Sequence, residues 1–154
     1  MSQENAPQEA AKVAQVIASD CIGARVRILN RAVSRIYDDM IRPHGIKFSQ
    51  LNILTVVTSH GPIQQMEVGH ILSLEKSTLS RNVTLMEAKG WLQSQAGEGR
   101  NRLLVVTPKG RELLVNAAPD WATAQERVAA MLGAQTAVEL RQAADQLQNK
   151  AIGD

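Results

Sequence analysis

Aromatic residues and cysteine are both scarce in this sequence of 154 residues. Phe, Trp and Tyr make up only 3% of it, so a packed core has to be built from aliphatic side chains and methionine. Such a core suits helices better than a β-sandwich, because strands are enriched in aromatic residues. The single cysteine, Cys21, excludes an intramolecular disulfide and argues against a cysteine-based metal site.

Long apolar segments and catalytic groupings are also missing. No apolar run approaches the roughly 18 residues that a membrane-spanning helix needs, and the polar N-terminus has no signal-peptide core. We therefore expect a cytoplasmic protein with no membrane partner. The histidines His44, His60 and His70 have no cysteine or carboxylate neighbours at metal-ligand spacing. Because no nucleophile stands beside a base either, we predict no metal, no cofactor and no enzymatic activity.

The net charge of +2 is unevenly distributed. Residues 76–111 contain seven Lys or Arg residues against Glu87 and Glu98, for a local charge of +5. Residues 1–75 are balanced, and residues 112–154 carry three basic against six acidic residues, for −3. Positive charge concentrated in one segment of a chain is typical of a surface that binds a polyanion, although chance clustering on a solvated surface gives the same pattern.

The N-terminal third is predicted to be helical. Apolar residues recur every three to five positions from about residue 9 to residue 40, which indicates one long helix or two helices broken near Ser19-Asp20. Residues 1–8 are polar and are predicted to be a flexible N-terminus. A second helix is predicted to begin with Ser49 as its cap and to end at Gly61-Pro62, and a third covers about residues 64–72.

A fourth helix is predicted over residues 77–89. Its inward face carries Leu79, Val83 and Met86, at spacings of four and three. The other side carries only short polar or basic residues, namely Ser77, Thr78, Ser80, Arg81, Asn82 and Thr84. Acidic side chains would be repelled by phosphate, and none occurs between residues 76 and 86. This face therefore favours a DNA major groove over an ordinary solvated surface.

A hairpin is predicted directly after this helix. Two strand-like segments, residues 91–95 and 103–107, flank a loop that contains two glycines and two arginines. A strand, a basic loop and a strand in this position are typical of a wing. Arg100 and Arg102 of the loop are predicted to reach a minor groove or the adjacent phosphates.

The C-terminal segment is again helical. Thr107 as N-cap and Pro108 in the first turn predict the start of a fifth helix. Pro119 predicts a kink or a break before Trp121. A sixth helix follows Gly133. The fold class is therefore predicted to be mainly α with a small β-hairpin wing (α+β): a winged helix-turn-helix lobe plus a helical lobe.

Three sequence segments occur in a recognisable order. The first is P-H-G-I at 43–46 with F-S-Q-L at 48–51, and the second is L-S-L-E-K-S-T-L-S-R at 72–81 with L-M-E-A-K-G-W-L at 85–92. The third is E-x-R-x-x-x-L-x-V-T-P-x-G at 98–110. Together they resemble the MarR family of bacterial winged-helix regulators over roughly residues 20–150. Glu98 departs from the aspartate that is usual in that wing, and Gly69 stands where alanine is commoner.

The resemblance implies a domain organisation and partners. It implies one MarR-type domain at 9–150, with a DNA-binding lobe at 48–110 and a helical dimerisation lobe built from 9–42 and 108–151. Such a protein is a homodimer on a pseudo-palindromic double-stranded DNA operator, with half-sites roughly 34 Å apart. We therefore predict a transcription factor that acts as a dimeric repressor and is released by a small aromatic acid or phenolic effector.

The candidate DNA contacts are assigned residue by residue from their chemistry. Groove contacts are expected from Thr78, Ser80, Arg81, Asn82 and Thr84, and phosphate contacts from Lys76 and Ser77. Arginine pairs in two bonds with guanine and asparagine with adenine, so Arg81 and Asn82 are the most informative. In the wing, Arg102 is the second expected contact, and Arg100 either inserts into the minor groove or pairs with Glu98.

Ligand and redox sites are left open. Arg27, Arg31 or Arg35 could bind an effector carboxylate, although surface or inter-subunit ion pairs are the preferred interpretation of each. Cys21 could sense peroxide as a low-pKa thiolate, as in some relatives, but a small buried apolar residue is the preferred interpretation. A winged helix that serves only protein interaction is the remaining alternative, and the basic, acid-free face disfavours it.

Overall fold

The computed structural model describes residues 6–97 and 102–152, with side chains up to residue 148. Helices predominate beside one small antiparallel sheet, as the sequence predicted. The helices are α1 (Ala6–Asp20), α2 (Ile22–Ile41), α3 (Phe48–His60), α4 (Gln65–Leu72), α5 (Lys76–Ala88), α6 (Pro108–Leu132) and α7 (Ala134–Ile152). The strands are β1 (Ile63–Gln64), β2 (Leu92–Ala96) and β3 (Arg102–Val106). None of the described helices combines the length and apolar character needed to cross a bilayer.

The chain divides into two compact units, residues 1–35 and residues 36–154. The first unit contains α1 and the first part of α2. The break between these helices falls at Cys21, so the alternative of two helices is correct. Helix α1 already begins at Ala6, before the predicted residue 9. Most of the large aliphatic side chains of this unit are exposed, namely Val13, Val16, Ile17, Ile22, Val26 and Ile28.

Helix α3 begins one residue before the serine that was predicted to cap it. Ser49 is the second helical residue, so its prediction as the N-cap is wrong. Instead, the Gln50 side chain accepts a hydrogen bond from the Lys47 backbone N–H at 3.2 Å. Asp38 accepts a second bond, from the Phe48 backbone N–H, at 2.7 Å. Because these two oxygens satisfy N–H groups at the helix start, a serine hydroxyl is not needed there.

The core of the second unit joins α3, α4 and α5 to the sheet. Its largest fully buried side chains are Ile41, Ile53, Leu54, Val57, Val68, Leu79, Met86, Leu92 and Leu104. All are aliphatic or methionine, as the low aromatic content predicted. Each contributes roughly 1.5–3 kcal/mol when fully buried, so this cluster fixes α5 and the hairpin on one framework.

The sheet has the order β1-β3-β2, and both pairings are antiparallel. The predicted hairpin is confirmed, with each strand displaced by one residue from the predicted range. Strand β1 was not predicted, and its Ile63 lies opposite Leu104 of β3. Two residues are too few to show the alternation that identifies a strand in a sequence.

Helix α6 runs as one helix from Pro108 to Leu132, so the predicted break before Trp121 does not occur. Proline removes one backbone donor from a helix interior. Ala117 and Ala124, on either side of Pro119, are both fully buried. Their packing holds the two halves of the helix together despite the missing hydrogen bond.

Candidate nucleic-acid interface

Helices α4 and α5 form a helix-turn-helix. After α4 ends, Ser73 adopts a left-handed conformation with φ of 51°. The Leu74 backbone N–H then donates to the Gly69 carbonyl at 2.9 Å, which closes the turn. Helix α5 begins at Lys76, one residue earlier than predicted. Past its C-terminus, Gly90 has a φ of 74°, as expected for the left-handed residue that ends a helix.

One side of α5 packs into the core. Leu79, Val83 and Met86 are 2%, 4% and 0% exposed, which confirms the predicted inward face. Residues three and four apart share one side of a helix. The burial of these three residues therefore determines which residues of α5 point away from the core.

The rest of the α5 surface carries the predicted DNA contacts. Asn82 is half-buried, and the exposed residues are Lys76, Ser77, Thr78, Ser80, Arg81 and Thr84. The structure thus brings all seven together on the part of the helix that does not face the core. We call this the polar surface of α5.

Three side chains of the polar surface are bonded to the backbone of their own helix. Arg81 Nε donates to the Ser77 carbonyl at 3.2 Å, and Asn82 Nδ2 donates to the Thr78 carbonyl at 3.0 Å. Thr84 Oγ1 bonds the carbonyl four residues before it. The terminal guanidinium nitrogens of Arg81 and the Oδ1 atom of Asn82 remain available to a base edge. The bonds therefore restrict these side chains, and Asn82 Nδ2 keeps a second hydrogen that can pair with a base beside Oδ1.

The acidic residues of this region lie at the ends of α5. Glu75 precedes the helix and is exposed, whereas Glu87 lies in its last turn and is half-buried. Ser94 of β2 donates a hydrogen bond to Glu87 Oε1 at 2.5 Å. The Glu87 carboxylate is therefore held toward the wing strand and away from the polar surface of α5.

One of the two arginines predicted for the wing lies among the described residues. Arg102 begins β3, is exposed, and lies opposite Ala96 of β2. Arg100 and its possible partner Glu98 lie outside the described residues. The roles proposed for all three residues stay predictions.

Sequence reasoning missed the residues that anchor the hairpin. Besides the bond between Ser94 and Glu87, the Thr107 hydroxyl donates to the Gly90 carbonyl at 2.6 Å. The same oxygen accepts from the Gly110 N–H at 3.0 Å and so caps α6, as Thr107 was predicted to do. A serine and a glutamate seven residues apart form no periodic pattern, so no sequence signal pointed to their contact.

A cavity of about 320 Å³ lies between α3 and α6. Its walls are mostly apolar, with Leu51, Leu114, Ala117 and Trp121 among them. Asn52 and Thr55 supply polar atoms, and the Thr55 hydroxyl donates to the Leu51 carbonyl at 2.9 Å. Sequence reasoning did not identify this cavity, because its walls come from two helices that are distant in the chain.

The ligand and redox candidates lie in the first unit. Arg27, Arg31 and Arg35 are all exposed and follow one another at a spacing of four along α2. Cys21 is half-buried, at the break between α1 and α2 rather than inside a helix. Their predicted roles remain predictions. Within residues 6–97 and 102–152 no three His, Cys, Asp or Glu side chains are close enough to hold a metal ion.

Comparison with known proteins gives a family for this region. A sequence model described as MarR family matches residues 44–101. The uncharacterized HTH-type transcriptional regulator YwoH of Bacillus subtilis (strain 168) is 30% identical over 82 residues. Residues 44–101 belong to the MarR family. The alignment with YwoH spans 53% of this chain and 60% of the length of YwoH.

Solved structures extend the likeness beyond the MarR-family region. The crystal structure of M. tuberculosis transcriptional regulator MosR is 28% identical, with a TM-score of 0.69 over 82% of this chain and 97% of MosR. MosR in complex with DNA is 27% identical, with a TM-score of 0.73 over 87% and 98% of the two chains. CouR from Rhodococcus jostii RHA1 bound to p-coumaroyl-CoA is 22% identical, with a TM-score of 0.70 over 86% and 93%. At that identity, CouR shows the fold alone.

The MarR-family region contains all seven residues of the polar surface of α5. Arg102 follows it directly. The winged helix-turn-helix predicted from the sequence is therefore present, and the residues predicted to contact DNA lie inside it or at its edge.

Proposed function

We propose that the protein is a sequence-specific DNA-binding transcriptional regulator rather than an enzyme. The polar surface of α5 is the observation that carries this proposal. It presents Lys76, Arg81 and Asn82 without an intervening acid, on a helix whose other side is fixed in the core. A major groove admits a helix of this kind, and phosphates favour its charge. The structure of MosR in complex with DNA supports the assignment by analogy.

Each contact has a proposed role. Arg81 and Asn82 read base edges through the atoms that their intrahelical bonds leave available. Thr78, Ser80 and Thr84 provide the shorter groove contacts. Lys76 and Ser77 lie at the N-terminal end of α5, where backbone N–H groups favour a phosphate. The wing arginines, Arg100 and Arg102, add contacts in the adjacent minor groove.

The active form is proposed to be a homodimer that represses transcription. The supporting observation is the amount of apolar surface on the helices assigned to dimerisation. In the first unit Val13, Ile17 and Val26 are at least half-exposed. In the second unit Leu140 and Leu147 of α7 are 44% and 69% exposed. Apolar side chains in such numbers are typical of a surface that is covered in an assembly.

Selecting bound fragments from the source genome with purified protein tests the proposal. We expect enrichment of a pseudo-palindromic site that is bound by two chains. Binding to that site should weaken steeply as salt rises, because each neutralised phosphate releases counterions. Removing one exposed lysine of α1, in Lys12→Ala, serves as the charge control and should leave the slope unchanged. If no site were enriched, or if the affinity did not depend on salt, the proposal would be wrong. The alternative of a winged helix that serves only protein interaction would then be favoured.

We also propose that a small aromatic or phenolic ligand occupies the cavity between α3 and α6 and relieves repression. Its apolar walls and few polar atoms are typical of small-molecule sites, and CouR is a protein of this fold bound to p-coumaroyl-CoA. A panel of aromatic acids and phenols should raise the melting temperature. Ala118→Phe at the cavity wall should abolish the shift, whereas Ala122→Phe on the exposed side of α6 should not.

A further inference from the structure

A second cleft, of about 530 Å³, lies where three connections of the second unit meet. One side is the turn after α2, with His44 and Gly45. The second is the end of α5 and the start of the hairpin, with Lys89 and Trp91. The third is the first three turns of α6, with Lys109, Glu112 and Asn116. None of these residues is part of the polar surface of α5 or of the cavity between α3 and α6.

Two ammonium groups line this cleft and are held by backbone carbonyls. Lys89 Nζ donates to the Gly45 carbonyl at 3.0 Å and lies 4.7 Å from the centre of the Trp91 ring. Lys109 Nζ donates to the Lys89 carbonyl at 2.8 Å. An ammonium group has three donors, so each lysine keeps two that these bonds do not use. The Trp91 ring is only 5% exposed, so it provides a fixed surface beneath Lys89.

The positive charge of the cleft is only partly balanced by the acidic residue within it. Among the described residues, neither Lys89 nor Lys109 has a carboxylate oxygen within 4.0 Å. Glu112 is the only carboxylate among the cleft residues, so two cations face one anion. The His44 ring is already bonded, through Nε2, to Asp120 at 2.7 Å. Two ammonium groups that line one cleft and keep unused donors attract an oxyanion more strongly than one exposed lysine does.

We propose that this cleft binds a small organic anion through its carboxylate or phosphate group. The oxyanion takes the unused donors of Lys89 and Lys109, and the carbon part lies against Ala88 and Leu113, the apolar members of the lining. The volume falls within the range of roughly 300–1,000 Å³ that is usual for small-molecule sites. Lys89 Nζ lies over the face of the Trp91 ring. A ligand therefore does not need an aromatic ring that stacks on Trp91. None of the cleft residues is among the proposed DNA contacts.

The fluorescence of Trp91 provides a direct test. Trp121→Phe removes the other tryptophan, so the emission then reports the ring beside Lys89 alone. This variant is titrated with inorganic phosphate and, separately, with benzoate, at an ionic strength held constant with sodium chloride. We expect a saturating change with at least one of the two probes. Saturation by phosphate assigns the phosphate group as the ligand chemistry, and saturation by benzoate alone assigns a carboxylate with an apolar body.

Variants of the two lysines decide whether the signal comes from this cleft. Lys89→Met and Lys109→Met keep the side-chain length and remove the charge, so each should weaken binding by about tenfold through the lost charged hydrogen bonds. Lys12→Met, an exposed lysine of α1, is the matched control and should bind as the parent does. Thermal melting establishes that each variant is folded. If one lysine variant does not fold, the other is sufficient to test whether the signal comes from the cleft. A response that never saturates overturns the proposal, as does a midpoint in both lysine variants equal to that of the parent.

Discussion

Ser94 and Glu87 connect the wing to the recognition helix. The Ser94 hydroxyl, on β2, donates to a carboxylate oxygen of Glu87 in the last turn of α5 at 2.5 Å. Both side chains are half-buried, so water competes with this bond less than it does at an exposed site. The bond therefore restrains the strand that carries the wing relative to the helix that is proposed to enter the major groove.

Removing this hydroxyl should cost stability. We expect Ser94→Ala to lower the free energy of unfolding by about 1–2 kcal/mol, because a hydrogen bond to a charged acceptor is lost and the carboxylate stays half-buried. Urea denaturation measures the change. Gln93→Ala, at the exposed neighbouring position of β2, is the control and should stay within about 0.5 kcal/mol of the parent. If Ser94→Ala were equally costly in a Glu87→Ala background, the two residues would not be coupled.

Two helical glycines should respond to alanine in opposite directions. A Cβ atom at Gly110 would lie 2.2 Å from the Trp91 carbonyl oxygen and 2.9 Å from Val106 Cγ2, so Gly110→Ala should destabilise by about 1–3 kcal/mol or more. At Gly69 the nearest side-chain atom, Leu79 Cδ2, would be 3.4 Å away, an ordinary contact. Gly69→Ala should therefore stabilise by about 0.5–1 kcal/mol through helix propensity. Thermal melts of both variants check the prediction, and a destabilised Gly69→Ala would contradict it.

The sequence predicts local structure but not the contacts between elements that are distant in the chain. Periodicity located α5, its buried side and the hairpin, because residues close in the chain determine them. It could not reveal that the Gly110 backbone packs against Trp91 or that Ser94 meets Glu87, because such contacts depend on how elements pack. Local signals also misled where tertiary contacts dominate. Asp38 and Gln50 accept the backbone hydrogen bonds at the start of α3, where Ser49 was predicted to be the cap. Helix α6 continues past its internal proline because it is packed on both sides of it.

Tyr37 should make stability depend on alkaline pH. It is 6% exposed, stacks on Phe48 with ring centres 4.1 Å apart, and donates a hydrogen bond to Gln125. Burial raises the pKa of Tyr37 above its ordinary value of 10.0, and the nearby Arg141 opposes this only in part. The folded state thus disfavours the phenolate, so the contribution of Tyr37 is complete below about pH 10 and is lost as the pH rises toward the folded pKa.

Tyr37→Phe separates this effect from other alkaline titrations. The variant should lose about 0.5–1.5 kcal/mol at pH 7, where the hydrogen bond to Gln125 is missing. Above pH 10 the difference from the parent should shrink, because the parent then loses the contribution that the variant never had. Urea denaturation of both proteins from pH 7 to pH 11 measures it. A constant difference across that range would show that Tyr37 does not titrate differently in the folded and unfolded states.

The proposed reading of DNA predicts a division of roles between Arg81 and Arg102. Arg81 lies on α5 with its terminal nitrogens available, so Arg81→Ala should relax discrimination at one base pair by about 1–3 kcal/mol. Arg102 is the exposed first residue of β3, and Arg102→Ala should weaken binding to specific and non-specific DNA alike and reduce the salt slope. Both are exposed, so melting temperatures should barely change. Mobility-shift titrations at fixed salt, on the selected operator and on single-base variants, measure both effects. Operator binding by Arg81→Ala as tight and as selective as that of the parent would remove α5 from the proposed role of recognition helix.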